Sequence, residues 1–154
     1  MPKLSAGLVV YKKSDQGLRL LLVHPGGPFW RNKDEGAWSI PKGEYGGGDD
    51  ALDAARREFE EELGVVSPAG PYTPLGEVSQ RGGKIVTGFA VEGDFDLASF
   101  KSNLFELEWP PRSGRRASFP EVDRAEWFSP EEAARKIIAA QRIFLDRLAN
   151  LLAL

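Results

Sequence analysis

The chain of 154 residues contains no cysteine, which excludes disulfides, thiolate metal sites and a cysteine nucleophile. A single histidine, His24, closes off histidine-pair catalysis and a histidine-rich zinc site. His24 ends an apolar run and is expected to be packed or hydrogen-bonded rather than catalytic. No apolar stretch approaches the roughly 18 residues needed to span a bilayer, and Met-Pro-Lys-Leu-Ser leads directly into a strand-like run without a signal-peptide pattern. A soluble, cytoplasmic protein is the expectation. There is also no excess of basic charge: 20 Lys and Arg stand against 23 Asp and Glu, a net charge of -3, which argues against a stable nucleic-acid partner. With these groups absent, any chemistry falls to carboxylates.

What is present is a concentration of glycine and acid between residues 43 and 65, Gly-Glu-Tyr-Gly-Gly-Gly-Asp-Asp-Ala-Leu-Asp-Ala-Ala-Arg-Arg-Glu-Phe-Glu-Glu-Glu-Leu-Gly-Val. Asp49 and Asp50 are suitable N-caps for a helix over 51 to 63, because a short side-chain oxygen can accept the unpaired amides of the first turn. Gly64 supplies the stop. At about 100° per residue, Ala51, Leu52, Ala55, Phe59 and Leu63 form one apolar stripe. Glu58, Glu61 and Glu62 cluster beside it at i, i+3, i+4, where like charges repel by a few tenths of a kcal/mol per pair. Glu62 lies within the edge of the stripe, about 20° from Ala55. A carboxylate there is costly unless it is paired or binds a metal. Hard oxygen ligands beside a glycine-rich backbone suit Mg²⁺ or Mn²⁺. A solvated acidic helix face is the alternative.

This segment resembles the Nudix box: Gly, five residues, Glu, seven residues, Arg-Glu-hydrophobic-any-Glu-Glu-any-Gly-hydrophobic. Gly43, Arg57, Glu58, Phe59, Glu61, Glu62, Gly64 and Val65 match in register, and Asp49 replaces the first glutamate. The resemblance implies a Nudix hydrolase, in which metal-activated water cleaves a phosphoanhydride of a nucleoside diphosphate linked to another moiety. A nucleoside triphosphate or dinucleoside polyphosphate would be such a substrate. By position in the motif, Glu58 and Glu62 become the main metal ligands and Glu61 a ligand or a base acting through water. Gly43 becomes a backbone carbonyl ligand, and Arg57 the residue that orients the carboxylates. Many members of the family place a further glutamate outside the box, six residues before a tryptophan. Glu121 stands six before Trp127. Asp49 is left as either a catalytic acid or only a helix cap. The alternatives are a Nudix-fold nucleotide-binding or sensing domain without hydrolysis, and a hydrolase of a non-nucleotide diphosphate.

The flanking sequence predicts strands at 5 to 13 and 18 to 25, and a hairpin of 72 to 80 with 84 to 95 across Arg81-Gly82-Gly83. A further strand is expected at 104 to 109. Ser129-Pro-Glu-Glu132 is a capping box that opens a helix over about 130 to 139. From Gln141 to Leu154, apolar residues at helical spacing predict a helix packed on the sheet. A single domain over 1 to 154 follows, of mixed α/β (α+β) class, with a mixed β-sheet between helices as in the Nudix α/β/α sandwich. Monomer and homodimer are both open.

Two loops carry candidate substrate contacts. In residues 26 to 36, Phe29 or Trp30 could stack on a base while Arg31 and Lys33 approach phosphates; alternatively the loop folds on its own aromatics. Lys42, in the Pro-Lys-Gly that leads into the box, is a candidate phosphate contact or a solvent-facing side chain. The 110 to 120 stretch, read as a loop, offers Arg112, Arg115 and Arg116 for a polyphosphate or merely for solubility.

Overall fold

The computed structural model describes residues 3–153. Strand β1, Lys3–Ser14, turns at Gly17 into β2, Gly17–Pro25, and pairs with it antiparallel from Tyr11↔Leu20 to Ser14↔Gly17. Gly17 has φ 104°, a left-handed backbone that glycine adopts without a side-chain clash. The hairpin of β4, Thr73–Gln80, and β5, Lys84–Glu92, forms as the turn glycines predict, although β5 ends at Glu92 rather than residue 95. β5 runs parallel to β1, and β8, Val122–Phe128, closes the other side against β2. The sheet order is β4-β5-β1-β2-β8.

The second edge of β1 is shared. Residues Ser5 to Gly7 pair with β3, Lys42–Glu44, while Tyr11 to Ser14 pair with β2. Between the two, the segment that leads into the 43–65 motif is stitched to β2 by Val23 and Ser39, whose amides and carbonyls bond each other at 2.8 and 2.9 Å. Gly7 permits the shared edge, because a Cβ there would stand 2.5 Å from the Pro41 carbonyl oxygen and 2.7 Å from the Lys42 Cβ.

Alternation along β1 divides the core. Leu8 and Val10 face helix α1, Ala51–Leu63, and join Leu21, Val23, Ala54, Ala55, Phe59 and Leu63. Val9 faces the opposite side, with Trp38, Ile40, Val86, Phe128, Phe144 and Leu148. There α2, Pro130–Lys136, and α3, Arg142–Leu151, cover the sheet. The arrangement is the expected mixed sheet between helices.

The structure departs further from expectation in the 110–120 stretch and after α2. Residues 116–120 are not loop: Arg116–Pro120 is strand β7, paired with β6, Leu104–Glu108, in a separate two-stranded sheet. Its arginine and proline content hid a pairing that a neighbouring strand imposes. The helix expected to reach residue 139 stops at Lys136, since Ile137 is extended, with φ -74° and ψ 148°. Ile138 then donates its amide to the Trp38 carbonyl at 2.7 Å, and a 3₁₀ turn, Ala139–Gln141, leads into α3. Leu154, the end of the tail helix expected from the sequence, lies outside the described residues. Among the described residues no helix is long and apolar enough to cross a membrane.

Candidate active site

Helix α1 has its cap assigned by geometry. The Asp50 side chain accepts the Asp53 amide at 3.1 Å, and Gly64 closes the C-terminus in the left-handed region at φ 68°. Asp49 is therefore not the N-cap. Its Oδ2 instead accepts the Gly46 amide at 3.3 Å and tightens the glycine loop. Glu60, one residue from the candidate acids, holds the chain after the helix by accepting the Ser67 amide and hydroxyl, each at 2.9 Å.

Glu58 and Glu62 point toward β3. The Glu58 carboxyl packs so closely on Gly43 that a Cβ at that position would lie 2.2 Å from Glu58 Cδ and Oε2. Any side chain at 43 would therefore displace the Glu58 carboxyl from its present place. Burial pushes the Glu58 carboxyl above its ordinary range, with repulsion from Glu61 adding to it and Arg57 opposing. Arg57 Nη2 stands 3.8 Å from Glu58 Oε1, a loose ion pair at an exposed position.

Glu62 is the most perturbed group. Its Oε2 is sealed from solvent and has no hydrogen-bond partner, although the residue as a whole is partly exposed. Burial raises its pKa to about 8, against the attraction of Lys42 and with further upward pushes from Glu58 and Glu121. Lys42 in turn is held below the ordinary lysine range, first by burial and then by Lys84, while Glu62 and Glu44 favour its charge. Lys42 lines the cleft next to Glu62 rather than standing free in solvent.

Glu62 and Lys42, but not Glu58, border a cleft of about 300 Å³ that is lined also by Lys84, Glu121, Gln80 and Trp30 together with apolar side chains of β2 and Ile138. Glu121 reaches it because the chain around it is clamped. Its amide donates to the Asn103 carbonyl at 2.8 Å, and its carbonyl accepts the Gly26 amide at 2.9 Å. A Cβ on Gly26 would fall 1.9 Å from the Pro120 carbonyl oxygen, so only glycine lets the two segments pass.

The two aromatics of the 26–36 loop part company. Phe29 packs edge-on against Trp109 with centroids 5.5 Å apart. Trp30 lines the cleft, with Lys33 Nζ 5.1 Å from its ring centroid. The loop is anchored by His24, fully buried, whose ring nitrogens meet Asp123 Oδ1 at 2.7 Å and the Lys33 carbonyl at 2.6 Å. This is the packed, hydrogen-bonded role expected of it.

Several expected contacts lie elsewhere. Arg31 borders a separate hollow with Phe119 and Asp123. Arg112 sits in the β6–β7 turn at φ 62° and donates its amide to Glu108, and Arg116 pairs with Glu106 at 3.4 Å. Neither these two nor Arg115 lines the cleft. Gln80 and Lys84, which do line it, carry no local motif. They face each other across the β4–β5 turn, and only the sheet brings that turn to Lys42.

Among the described residues no three His, Cys, Asp or Glu side chains converge as a ready-made metal cluster. Glu58 and Glu62 nevertheless fit a divalent cation. Both are acidic oxygen donors held against burial and mutual repulsion, and Glu62 Oε2 lacks any partner for its charge.

A domain model described as NUDIX matches residues 1–148. The chain belongs to the Nudix family. No curated protein matches it at a significant level. Among solved structures it is similar to an Ap4A hydrolase of C. elegans in a binary complex, at 22% identity and TM-score 0.66, over 97% of this chain and 98% of that one. The NUDIX domain of Shewanella oneidensis NrtR, complexed with ADP ribose, aligns at 15% identity and TM-score 0.67 over 99% and 89%. A MutT protein from Methanosarcina mazei Go1 aligns at 20% identity and TM-score 0.62 over 97% and 95%. At these identities the likeness concerns the fold.

Proposed function

We propose that the cleft hydrolyses a phosphoanhydride bond in a nucleoside diphosphate linked to another moiety, such as a nucleoside triphosphate or dinucleoside polyphosphate. The observation that carries this reading is the unpartnered carboxylate oxygen of Glu62. It lies among Glu58 and Glu121, at the wall of a cleft that also presents Lys42, Lys84 and an indole face. Glu58 and Glu62 would hold Mg²⁺ or Mn²⁺, with Glu61 and the Gly43 carbonyl as further oxygen donors. A divalent ion bound there supplies charge neutralisation at the phosphoryl oxygens and acidifies water.

The chain's own residues do the rest. Arg57 keeps Glu58 turned toward Gly43. Lys42 and Lys84 counter the charge of the diphosphate, and burial of Lys42 makes that attraction stronger than it would be in water. Trp30 offers a flat apolar face to a base, while Lys33 above it restrains the ring. Glu121, outside the helix on a segment tied to Gly26, would accept a proton from attacking water. Asp49 shapes the glycine loop.

The test is a panel of nucleoside triphosphates, dinucleoside polyphosphates and inorganic polyphosphate, assayed for release of product with Mg²⁺, with Mn²⁺ and with chelator. Cation-dependent cleavage of nucleotides over inorganic polyphosphate is expected. Trp30→Ala should raise KM more than it lowers kcat, because it removes binding common to ground and transition states. Nucleotide binding without cleavage under any cation would overturn hydrolysis in favour of a sensing role.

A further inference from the structure

The end of the cleft formed by β4 and β5 contains a hydrogen-bond relay whose polarity is fixed from within the core. Gln141, fully buried in the turn between α2 and α3, accepts the Ile40 backbone amide on Oε1 at 3.0 Å. A backbone amide can only donate, so the orientation of the Gln141 side chain is decided. Its Nε2 must then donate, to Ser39 Oγ at 3.0 Å and to Gln80 Oε1 at 3.1 Å. Ser39 in turn donates to the Ile40 carbonyl at 2.7 Å. The oxygen of Gln80 is thereby committed, and its NH₂ group is left for the cleft that this residue lines. Lys84, directly across the turn from Gln80, adds a second group that can only donate.

Resting on the hydrolase reading above, the geometry points to Gln80 as a specificity-determining residue that donates to a carbonyl oxygen on the substrate's base, with Gln141 as its positioning residue. A neutral amide held in one orientation is suited to a neutral, directional acceptor. The diphosphate has the ammonium groups of Lys42 and Lys84 instead. The apolar side chains of Val23 and Ile138 and the ring of Trp30 give a flat base room in the same cleft. A base with an exposed oxo group meets the Gln80 donor, whereas an exocyclic amino group at the same place brings donor against donor and leaves both unpaired. Oxo-bearing bases are therefore preferred over amino-bearing ones.

The experiment compares kcat/KM for GTP with ATP and for UTP with CTP, in the full chain with Mg²⁺, before and after two substitutions. Gln80→Glu keeps the oxygen that accepts from Gln141 and replaces the donor by an acceptor. Gln141→Glu leaves the cleft lining untouched but offers Gln80 only acceptors, which turns the Gln80 amide over. Each should lower the oxo-to-amino ratio by about tenfold, chiefly through KM. A structural effect alone would slow all four nucleotides alike. Equal losses for all four, or ratios unchanged in Gln80→Glu, overturn the assignment; if Gln141→Glu fails to fold, Gln80→Glu decides alone. Should the unaltered protein cleave no nucleotide, the hydrolase reading fails and this inference with it. Cleavage without an oxo preference overturns the inference only.

Discussion

Replacing Glu62 by Gln should make the metal-free protein more stable at alkaline pH while destroying its turnover. The carboxyl is buried with one oxygen unpartnered, and its pKa in the folded chain is about 8 against an ordinary value of 4.5. The folded state thus binds more protons than the unfolded state between those values, and stability falls as pH rises from 4.5 through 8. At about 1.4 kcal/mol per pH unit, the interval of about 8 minus 4.5, or about 3.5 units, sets an upper bound of about 5 kcal/mol. Partial access of the residue to solvent, and relaxation around it, reduce the expected loss to about 2 kcal/mol. Glutamine keeps the shape and carries no charge, so that loss should vanish from the variant. Urea unfolding from pH 5 to pH 9 with chelator present is the assay. The two proteins should match within about 1 kcal/mol near pH 5, diverge progressively as pH rises toward 8 and run parallel above it, with the variant more stable. Adding Mg²⁺ at pH 8 should stabilise the unaltered chain and not the variant. Parallel pH profiles would refute the claim that an uncompensated charge is buried at Glu62.

Four further substitutions test the surrounding geometry. Asp50→Ala should cost about 1 kcal/mol of stability through the lost N-cap. Asp49→Ala should cost less in thermal unfolding, because its bond is to Gly46 outside the helix. Gly43→Ala places a methyl group 2.2 Å from the Glu58 carboxyl, so kcat should fall by more than about tenfold, some 1.4 kcal/mol of barrier, while circular dichroism stays helical. Glu121→Gln should lower kcat at least about tenfold and alter the pH–rate profile, with Glu126→Gln as the silent control; similar small effects from both would remove Glu121 from the chemistry.

The parts of the site legible in the sequence are those whose cause is local. A capped helix, a stop glycine and three acids at i, i+3, i+4 follow from spacing alone. Even the misfit of Glu62 within the apolar stripe appears on the wheel before its burial is seen. The cap itself was ambiguous between Asp49 and Asp50, because either side chain can reach a first-turn amide and only backbone torsions choose. β3 is three residues long, too short to show alternation. β7 is arginine- and proline-bearing and exists because β6 offers it a ladder. The arginine cluster suggested phosphate binding by composition, yet the β6–β7 pairing directs Arg116 to Glu106 instead of the cleft.

What local reading could not supply is the coupling of distant segments, and Glu121 shows why. In sequence it is one of three acids between 121 and 126, separated from the others only by a resemblance. In the fold its place is decided 95 residues earlier, where Gly26 allows the Pro120 carbonyl within a distance that no Cβ would tolerate. His24, two residues before, pins Asp123 and the Lys33 carbonyl at the same crossing. The acid and the Trp30 loop are therefore set by one junction. Loosening it at Gly26 would displace the carboxylate and the indole together, a dependence that spacing along the chain cannot express.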